Sequence, residues 1–266
     1  MSAVAVSAKD VQALRKVTGA GMLDSKRALE ETGGDIEAAK QWLREQGLAG
    51  AAKRPDREAG QGAVALGTAG RAASLVELRC ETDFVAMSES FVALTDELAQ
   101  AVAAQGESAA QQATDAIDDL KTSLKENISL GPIVRYELGP DSVLGTYLHR
   151  QSGRGVNGVL IEMRGGTEEL AHDVAVHIAF ARPLYLRRQD VPAEEVAAER
   201  ATVETISRNE GKPEAALGKI VEGRMNGWFK ERCLLDQAYA RDEKRTIADL
   251  IGSAEILRFS QVVVGG

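Results

Sequence analysis

The chain contains two similar stretches, and this internal repeat constrains its fold more than any single motif. One stretch, GRAASLVELRCETD, begins at Gly70, and the other, GRGVNGVLIEMRGGTEE, begins at Gly153. In each, a Gly-Arg turn precedes a strand pattern that contains a glutamate, and a threonine followed by an acidic residue comes five positions after that glutamate. The repeat predicts two related halves of an α+β fold; the alternative is a chance likeness between two strand–turn–helix units. The matching residues are Glu77 and Glu162, Thr82-Asp83 and Thr167-Glu168.

An amphipathic helix pattern follows each copy of the repeat, and an apolar segment precedes each copy. The segments at 64–66 and 143–148 predict hairpin partners, because short glycine-bearing loops join them to the main strands. The helix patterns predict one helix packed on each hairpin. The expected inward residues are Phe91, Leu94, Leu98 and Val102 in the first copy, and Leu170, Val174, Ile178 and Ala181 in the second.

The N-terminal region predicts a separate module of three short helices. Ser7 and Asp35 stand where N-caps are expected, and Gly47 is expected to end the third helix. The stretch AGAAKRPDREAGQG, which contains Pro55 and charges of both signs, is typical of a linker. A module of about 40 residues is small for an independent core, so its helices must pack tightly. The expected inward residues are Val11, Leu14, Val17, Ala28, Leu29, Ile36, Ala39, Trp42 and Leu43.

A pair of helical patterns interrupts the second half. Pro192 and Pro213 each stand at a helix start, where a missing backbone N–H costs nothing. The apolar spacing of the two segments predicts an antiparallel helical hairpin, and Thr246 with Asp249 predicts a capping box after it. The apolar stripes are Val196, Val203 and Ile206 on one helix, and Leu217, Val221, Met225 and Trp228 on the other.

These patterns define the predicted domain boundaries. They are 1–50 for the three-helix module, 51–61 for the linker, 62–141 for the first core half, 142–191 with 233–266 for the second core half, and 192–232 for the helical hairpin.

The charge balance and the cysteines limit the functional classes. The 266 residues carry a formal net charge of -8, which argues against nucleic acid as the main partner and favours a protein partner. Cys80 and Cys233 are far apart, so we expect free thiols, Cys80 as a small buried residue, and a reducing compartment. The sequence has no signal-peptide pattern and no apolar run long enough for a bilayer, so we expect a cytoplasmic protein without membrane contact.

Residues for covalent catalysis are scarce. The chain has 3 histidines and lacks the G-x-S-x-G, H-E-x-x-H and C-x-x-C motifs, and no glycine-rich phosphate loop follows a strand. We interpret His177 as a hydrogen-bonding residue on a helix flank rather than a general base. We therefore expect no enzyme activity, no cofactor and no metal site.

The stretch RCETDFV raises the question of what Phe84 does after two carboxylates at a strand end. The residues alone favour a structural interpretation, in which Thr82 or Asp83 caps the next helix and Phe84 tucks beneath it as a hydrophobic staple. The alternative is that Phe84 projects toward a partner. Met22-Leu23 leaves a similar choice open between core packing and an accessible contact.

Several of these stretches together resemble one known family. The N-terminal stretch VQALRKVTGAGMLDSKRALEETGGDIEAAKQWLREQG resembles the N-terminal module of bacterial elongation factor Ts, which is similar to ubiquitin-associated (UBA) domains. The stretch LVELRCETDFVAMSESF resembles that family's core signature, and VHIAFARPLYL and VEGRMNGWFKE also fit. The likeness spans nearly the whole chain. The stretch KRPDREAGQGAV is more polar than the family's usual linker.

The resemblance implies a guanine nucleotide exchange factor for elongation factor Tu, a GTPase of translation, with no covalent catalysis. It implies that Thr82, Asp83, Phe84 and Val85 bind the partner and dislodge magnesium from the partner's site. Further partner contacts are expected at Met22, Leu23 and His177. The alternative function is a UBA-like protein-binding adaptor without exchange activity.

Overall fold

The computed structural model of the protein describes residues 6–18, 20–52 and 59–266. These residues form eleven α-helices and three small antiparallel sheets, which confirms the α+β class. The chain divides into two compact units. The first comprises the described residues up to Glu137 together with Leu148–Gly158 and Val262–Gly266, and the second comprises Leu138–Tyr147 and Val159–Gln261.

Three helices begin the first unit: α1 (Ala8–Thr18), α2 (Met22–Glu31) and α3 (Ile36–Ala52). Ser7 and Asp35 cap α1 and α3 through hydrogen bonds from Asp10, Glu37 and Ala38 N–H groups, as the sequence predicts. The shared core of these helices consists of Val11, Leu14, Ala20, Ala28, Leu29, Ala39 and Leu43, with Val6, Ile36 and Trp42 partly buried against it.

Two expectations for this region are wrong. Val17 is 64% exposed rather than inward. Gly47 does not end α3, which continues to Ala52, because a helix interior tolerates a glycine and alanines follow it. Gly19 and residues 53–58, which include Pro55 and most of the expected linker, lie outside the described residues.

The first sheet has the order β1-β2-β3, with β1 (Gln61–Ala69), β2 (Ala72–Cys80) and β3 (Ser129–Glu137). The β1–β2 hairpin matches the sequence prediction, whereas β3 has no counterpart in it. Between β2 and β3 lie α4 (Asp83–Ala86), α5 (Glu89–Gln105), α6 (Ser108–Gln112) and α7 (Thr114–Leu124).

Helix α5 packs closely on β1 and β2. A Cβ atom at Gly67 would lie 2.1 Å from the carbonyl oxygen of Ala99, so only glycine allows this approach of helix and strand. The hydroxyl of Ser74 donates to the same carbonyl at 2.6 Å. Phe91, Leu98 and Val102 are buried in the resulting core, and Leu94 is partly buried.

The second sheet begins with β4 (Ser142–Gln151) and β5 (Arg154–Arg164), followed by α8 (Glu168–Ala181). A Cβ atom at Gly145 would lie 2.3 Å from the carbonyl oxygen of Ala171, which repeats the close glycine contact of the first sheet. Val174 and Ile178 of α8 are buried, as predicted.

Helices α9 (Ala193–Asn209) and α10 (Glu214–Arg232) form the hairpin and pack on each other. The predicted stripe of α10, from Leu217 to Trp228, is buried. The expectation for Ile206 is wrong, because its side chain is 43% exposed. The neighbouring Ser207 is buried instead and satisfies its hydroxyl at the Val203 carbonyl.

The chain then forms β6 (Ala238–Tyr239), β7 (Asp242–Thr246), α11 (Ile247–Ile251) and β8 (Glu255–Val263). Thr246 and Asp249 make the predicted capping box. Strand β8 is the predicted terminal strand, and it pairs with β5. None of the described helices is both long and apolar enough to span a bilayer.

Candidate partner-binding site

A capped turn follows β2 and carries the stretch Thr82 to Val85. Thr82 has extended backbone angles and is the N-cap of α4, where its hydroxyl oxygen accepts from the Val85 N–H at 3.3 Å. This satisfies one of the donors that a helix start leaves unpaired. The capping part of the structural interpretation is therefore confirmed for Thr82.

Phe84 does not tuck beneath the helix, so the staple part of that interpretation is wrong. Its side chain is 80% exposed, and Asp83 is also exposed. The core of the first unit instead contains Ala86 and Phe91, which are fully buried, with Val85 partly buried against it. Successive helical residues point about 100° apart, so Phe84 and Ala86, two positions apart, point in nearly opposite directions. Helix α4 therefore cannot direct both inward.

The carboxylate of Glu126, in the loop between α7 and β3, accepts hydrogen bonds from this turn. The N–H groups of Glu81 and Thr82 donate to Glu126 Oε2 at 3.0 and 3.1 Å. The Thr82 hydroxyl donates to Glu126 Oε1. In return, the Asn127 N–H donates to Glu81 Oε1 at 2.8 Å. The sequence prediction missed Glu126, because no periodic pattern links it to a turn 44 residues earlier.

Cys80 lies directly beneath the same turn. Its thiol is buried and donates to the Thr82 carbonyl at 3.2 Å. Burial raises the pKa of this thiol to about 12, and the nearby Glu126 carboxylate adds to the shift. Cys80 is therefore a packing residue, as expected, and not a nucleophile at neutral pH.

Met22 and Leu23 are 63% and 84% exposed at the start of α2. The alternative that these residues are accessible is therefore the correct one. Asp24 follows them, and its carboxylate lies 2.7 Å from the Lys125 ammonium group. Lys125 immediately precedes Glu126, so one loop contacts both the Met22-Leu23 turn and the Phe84 turn.

His177 on α8 is 2% exposed, unlike the other predicted contact residues. The Ala240 N–H donates to its Nδ1 at 3.2 Å, so Nδ1 is the unprotonated nitrogen and Nε2–H faces Gln237 Oε1 at 3.0 Å. Burial lowers the pKa of His177, and the bond to Gln237 opposes this only in part. The ring presents almost no surface to a partner in this conformation.

Two apolar side chains that the sequence prediction did not single out are exposed beyond His177, Phe180 one helical turn further along α8 and Leu184 after the end of α8. Phe180 is 78% exposed and Leu184 is 65% exposed. Phe180 borders a shallow cavity of about 280 Å³ over α8 and the β6–β7 hairpin. The sequence could have indicated Phe180, because it lies two positions after the inward residue Ile178 and therefore on the opposite side of α8.

Within the described ranges, no cluster of three or more histidine, cysteine or acidic side chains has the geometry to hold a metal ion. The carboxylates of Glu81 in the turn and of Glu126 in the facing loop accept hydrogen bonds from backbone N–H groups and the Thr82 hydroxyl.

Comparison with known proteins identifies relatives along almost the whole chain. Residues 81–266 match the family model described as Elongation factor TS. The chain is 45% identical over 273 residues to elongation factor Ts of Clavibacter michiganensis subsp. michiganensis, covering 97% of this chain and 98% of that protein. It is 44% identical to elongation factor Ts of Leifsonia xyli subsp. xyli, covering 98% and 96%. It is 42% identical to elongation factor Ts of Streptomyces avermitilis, covering 97% and 98%. The chain therefore belongs to the elongation factor Ts family, whose members are elongation factors of protein biosynthesis.

Proposed function

We propose that the protein binds the GDP form of elongation factor Tu and promotes GDP release by disturbing the magnesium and nucleotide site, after which GTP rebinds. The observation that carries this proposal is the exposed Phe84 on a capped turn, next to the exposed Asp83, in a chain of the elongation factor Ts family. The protein acts without covalent catalysis.

The exposure of Phe84 supports a role in binding. Full burial of a phenylalanine side chain stabilises by about 1.5–3 kcal/mol, so a ring that stays 80% exposed in the free protein retains that free energy for a complex. Buried aromatic anchors contribute most at interfaces. Phe84 enters a pocket of the GTPase, and the adjacent Asp83 carboxylate acts on the groups that organise its magnesium ion.

One side chain does not account for fast exchange. A thousandfold acceleration of nucleotide release corresponds to about 4 kcal/mol at 1.36 kcal/mol per decade. Other residues must therefore contribute to this free energy. Thr82 and Val85 support Phe84 on either side in the turn that enters the partner. Met22 and Leu23 add an exposed apolar contact on the same unit. By linkage, bound nucleotide weakens the binding of this protein as much as this protein weakens nucleotide binding.

His177 acts in binding through its neighbours rather than by direct contact. Its two ring nitrogens join α8 to Gln237 and Ala240. This fixes the segment that presents Phe180.

We also propose that the core is duplicated. Glu77 and Glu162 lie buried on β2 and β5, and each carboxylate accepts from an arginine, at 2.9 Å from Arg79 and 2.8 Å from Arg258. Thr82 and Thr167 both cap the following helix through their hydroxyl oxygens. The glycine contacts at Gly67 and Gly145 add a third correspondence.

The predicted domain boundaries remain part of the proposal. The separate apolar cluster of α1–α3 supports a UBA-like module at 1–50, and the separate cluster of α9 and α10 supports the hairpin at 192–232. Helix α3 also packs on α7, where Arg44 lies 2.7 Å from Asp115. Thermal unfolding of a chain that lacks residues 1–50 tests the module: loss of the cooperative transition would contradict it.

The exchange proposal is tested by release of a fluorescent GDP analogue from elongation factor Tu, measured with the native protein and with Phe84→Ala. We expect the variant to fold normally and to lose at least about 30-fold in exchange, which corresponds to about 2 kcal/mol. If the native protein binds elongation factor Tu but leaves GDP release unchanged, the function is that of a UBA-like adaptor instead. As a translation factor, the protein is proposed to act in the cytoplasm without direct contact with nucleic acid or membrane.

A further inference from the structure

We infer that Glu126 is the positioning residue of the Phe84 turn: its carboxylate sets the geometry in which Phe84 reaches the GTPase. This inference rests on the proposed exchange function and adds a residue to it. It starts from the convergence of three donors on one carboxylate, the N–H groups of Glu81 and Thr82 and the hydroxyl of Thr82.

The hydroxyl of Thr82 is the point through which Glu126 acts on α4. This hydroxyl donates to Glu126 Oε1 while its oxygen accepts from the Val85 N–H. A hydroxyl can serve in both ways at once, and each bond polarises the other. The orientation of α4, and with it the direction of Phe84, is therefore coupled to the Glu126 carboxylate.

The loop that carries Glu126 is itself fixed on both sides. Lys125 ends α7 in a left-handed conformation, with φ of 59°, which turns the chain back toward β2. Beyond Glu126, the Asn127 N–H donates to the Glu81 carboxylate, and Ile128 is fully buried. The two loops thus exchange hydrogen bonds in both directions, so the position of Glu126 is determined by the core.

The orientation of a one-turn helix such as α4 depends on contacts from outside the helix. α4 has four residues and ends at Ala86, and its backbone bonds, such as Ala86 N–H to the Thr82 carbonyl at 3.1 Å, stay within the turn. They hold the turn together but do not tie it to a neighbouring element. An exposed ring contributes nothing to holding it, since Phe84 is 80% exposed. A mispositioning of about 1 Å at a functional group can cost on the order of 100-fold in rate.

A pair of conservative variants separates geometry from charge. Glu126→Gln keeps the length of the side chain: its carbonyl oxygen can accept from both N–H groups and its amide can donate to the Thr82 hydroxyl. Glu126→Asp keeps the charge but is one methylene shorter, so the carboxylate no longer reaches all three donors. If Glu126 positions the turn, Gln retains exchange within about threefold and Asp lowers the maximal rate of GDP release by about tenfold.

The experiment measures the release rate of a fluorescent GDP analogue from elongation factor Tu against the concentration of each variant. Saturation separates the maximal release rate from the half-saturating concentration. Glu107→Ala serves as the control for loss of a negative charge, because Glu107 is exposed on the first unit and its side chain caps nothing. Thermal unfolding of each variant verifies that the concentrations refer to folded protein.

A double variant completes the test. In Phe84→Ala, the ring that Glu126 positions is gone, so adding Glu126→Asp should cause no further loss of exchange. Additive losses, or a Glu126→Gln variant as slow as Glu126→Asp, would overturn the positioning role. If Phe84→Ala slows release and both Glu126 variants exchange at the native rate, this inference fails and the proposed function stands. If Phe84→Ala itself exchanges at the native rate, the role of Phe84 fails and this inference fails with it, whereas the proposed function fails only if the native protein leaves GDP release unchanged.

Discussion

The ammonium group of Lys125 lies 2.7 Å from the carboxylate of Asp24, and this ion pair joins the loop after α7 to the first turn of α2. The next residue, Glu126, binds the turn that carries Phe84. The two apolar contact sites proposed for the first unit, Met22-Leu23 and Phe84, are therefore tied to adjacent residues of one loop, although 61 positions separate Leu23 from Phe84 in the chain.

The Lys125–Asp24 ion pair should matter little for stability. Its side chains are 62% and 47% exposed, and exposed ion pairs contribute about 0–1 kcal/mol. We expect Asp24→Asn to lower the free energy of unfolding by less than about 1 kcal/mol, with a smaller effect at high salt. Urea unfolding at low and high ionic strength measures this. A loss of several kcal/mol would show that α2 depends on this contact for its position.

Phe84→Ala and Phe91→Ala should have opposite effects on stability and exchange. Phe91 is fully buried in the core of the first unit, so its truncation should cost about 3–5 kcal/mol of unfolding free energy. Phe84 is 80% exposed, so its truncation should cost less than about 0.5 kcal/mol. Thermal unfolding of each variant measures its stability, and the rate of GDP release from elongation factor Tu measures its exchange activity. If Phe84→Ala destabilised the protein as much as Phe91→Ala and left exchange per folded molecule normal, Phe84 would be a core residue.

The two cysteines should resist alkylation while the protein is folded. Burial is the main cause that raises the pKa of Cys80 to about 12 and that of Cys233 to about 11. At pH 8 a thiol with a pKa near 12 has roughly a thousandfold less thiolate than an ordinary one. Iodoacetamide labelling followed by mass spectrometry should therefore be very slow in buffer and fast in denaturant. Rapid labelling of one thiol in buffer would contradict its burial.

His177 should make the stability of the protein depend on pH near neutrality. Burial lowers its pKa in the folded state below the ordinary 6.5, so the unfolded chain binds a proton first as pH falls. Stability is therefore unaffected by His177 above about pH 7 and decreases as pH falls below 6.5, by at most 1.36 kcal/mol per pH unit for one proton.

The control for this effect is His177→Gln, which does not titrate. We expect the difference in unfolding free energy between the native protein and this variant to shrink as the pH is lowered from 7.5 to 5.5. The other titrating groups are the same in both proteins, so their contributions cancel in this difference. A difference that is constant over this range would show that His177 has the same pKa in both states.

Asp83 should act on a metal held by the partner without holding one itself. Magnesium requires near-octahedral oxygen coordination, and Asp83 lies on an exposed turn whose other carboxylates are bound to N–H and hydroxyl groups. Calorimetric titration of magnesium into the free protein should give no saturable heat that Asp83→Asn removes. A specific isotherm that depends on Asp83 would assign the metal to this protein.

The elements that depend on local patterns could be predicted from the amino-acid sequence alone. The hairpins β1–β2 and β4–β5, the helix stripes through Phe91 and Val174, and the capping box at Thr246 all follow from alternation, helical spacing and capping residues a few positions apart. The helical hairpin and the terminal strand β8 follow for the same reason. These predictions hold because each element is marked by a pattern of residues that are near one another in sequence.

The packing of the elements on one another was needed to establish which apolar residues are buried and what holds the site. Helical spacing placed Val17 and Ile206 inward, but burial depends on a neighbouring element, and none of the described elements covers them. The capping pattern could not show whether Phe84 turns inward, because that depends on which residues the core takes up, and the core contains Ala86 and Phe91 of another helix. Strand β3 and the loop before it were not predicted, and that loop supplies Glu126. A hydrogen bond across 44 residues leaves no periodic trace in the sequence, because its geometry exists only once the sheet has formed.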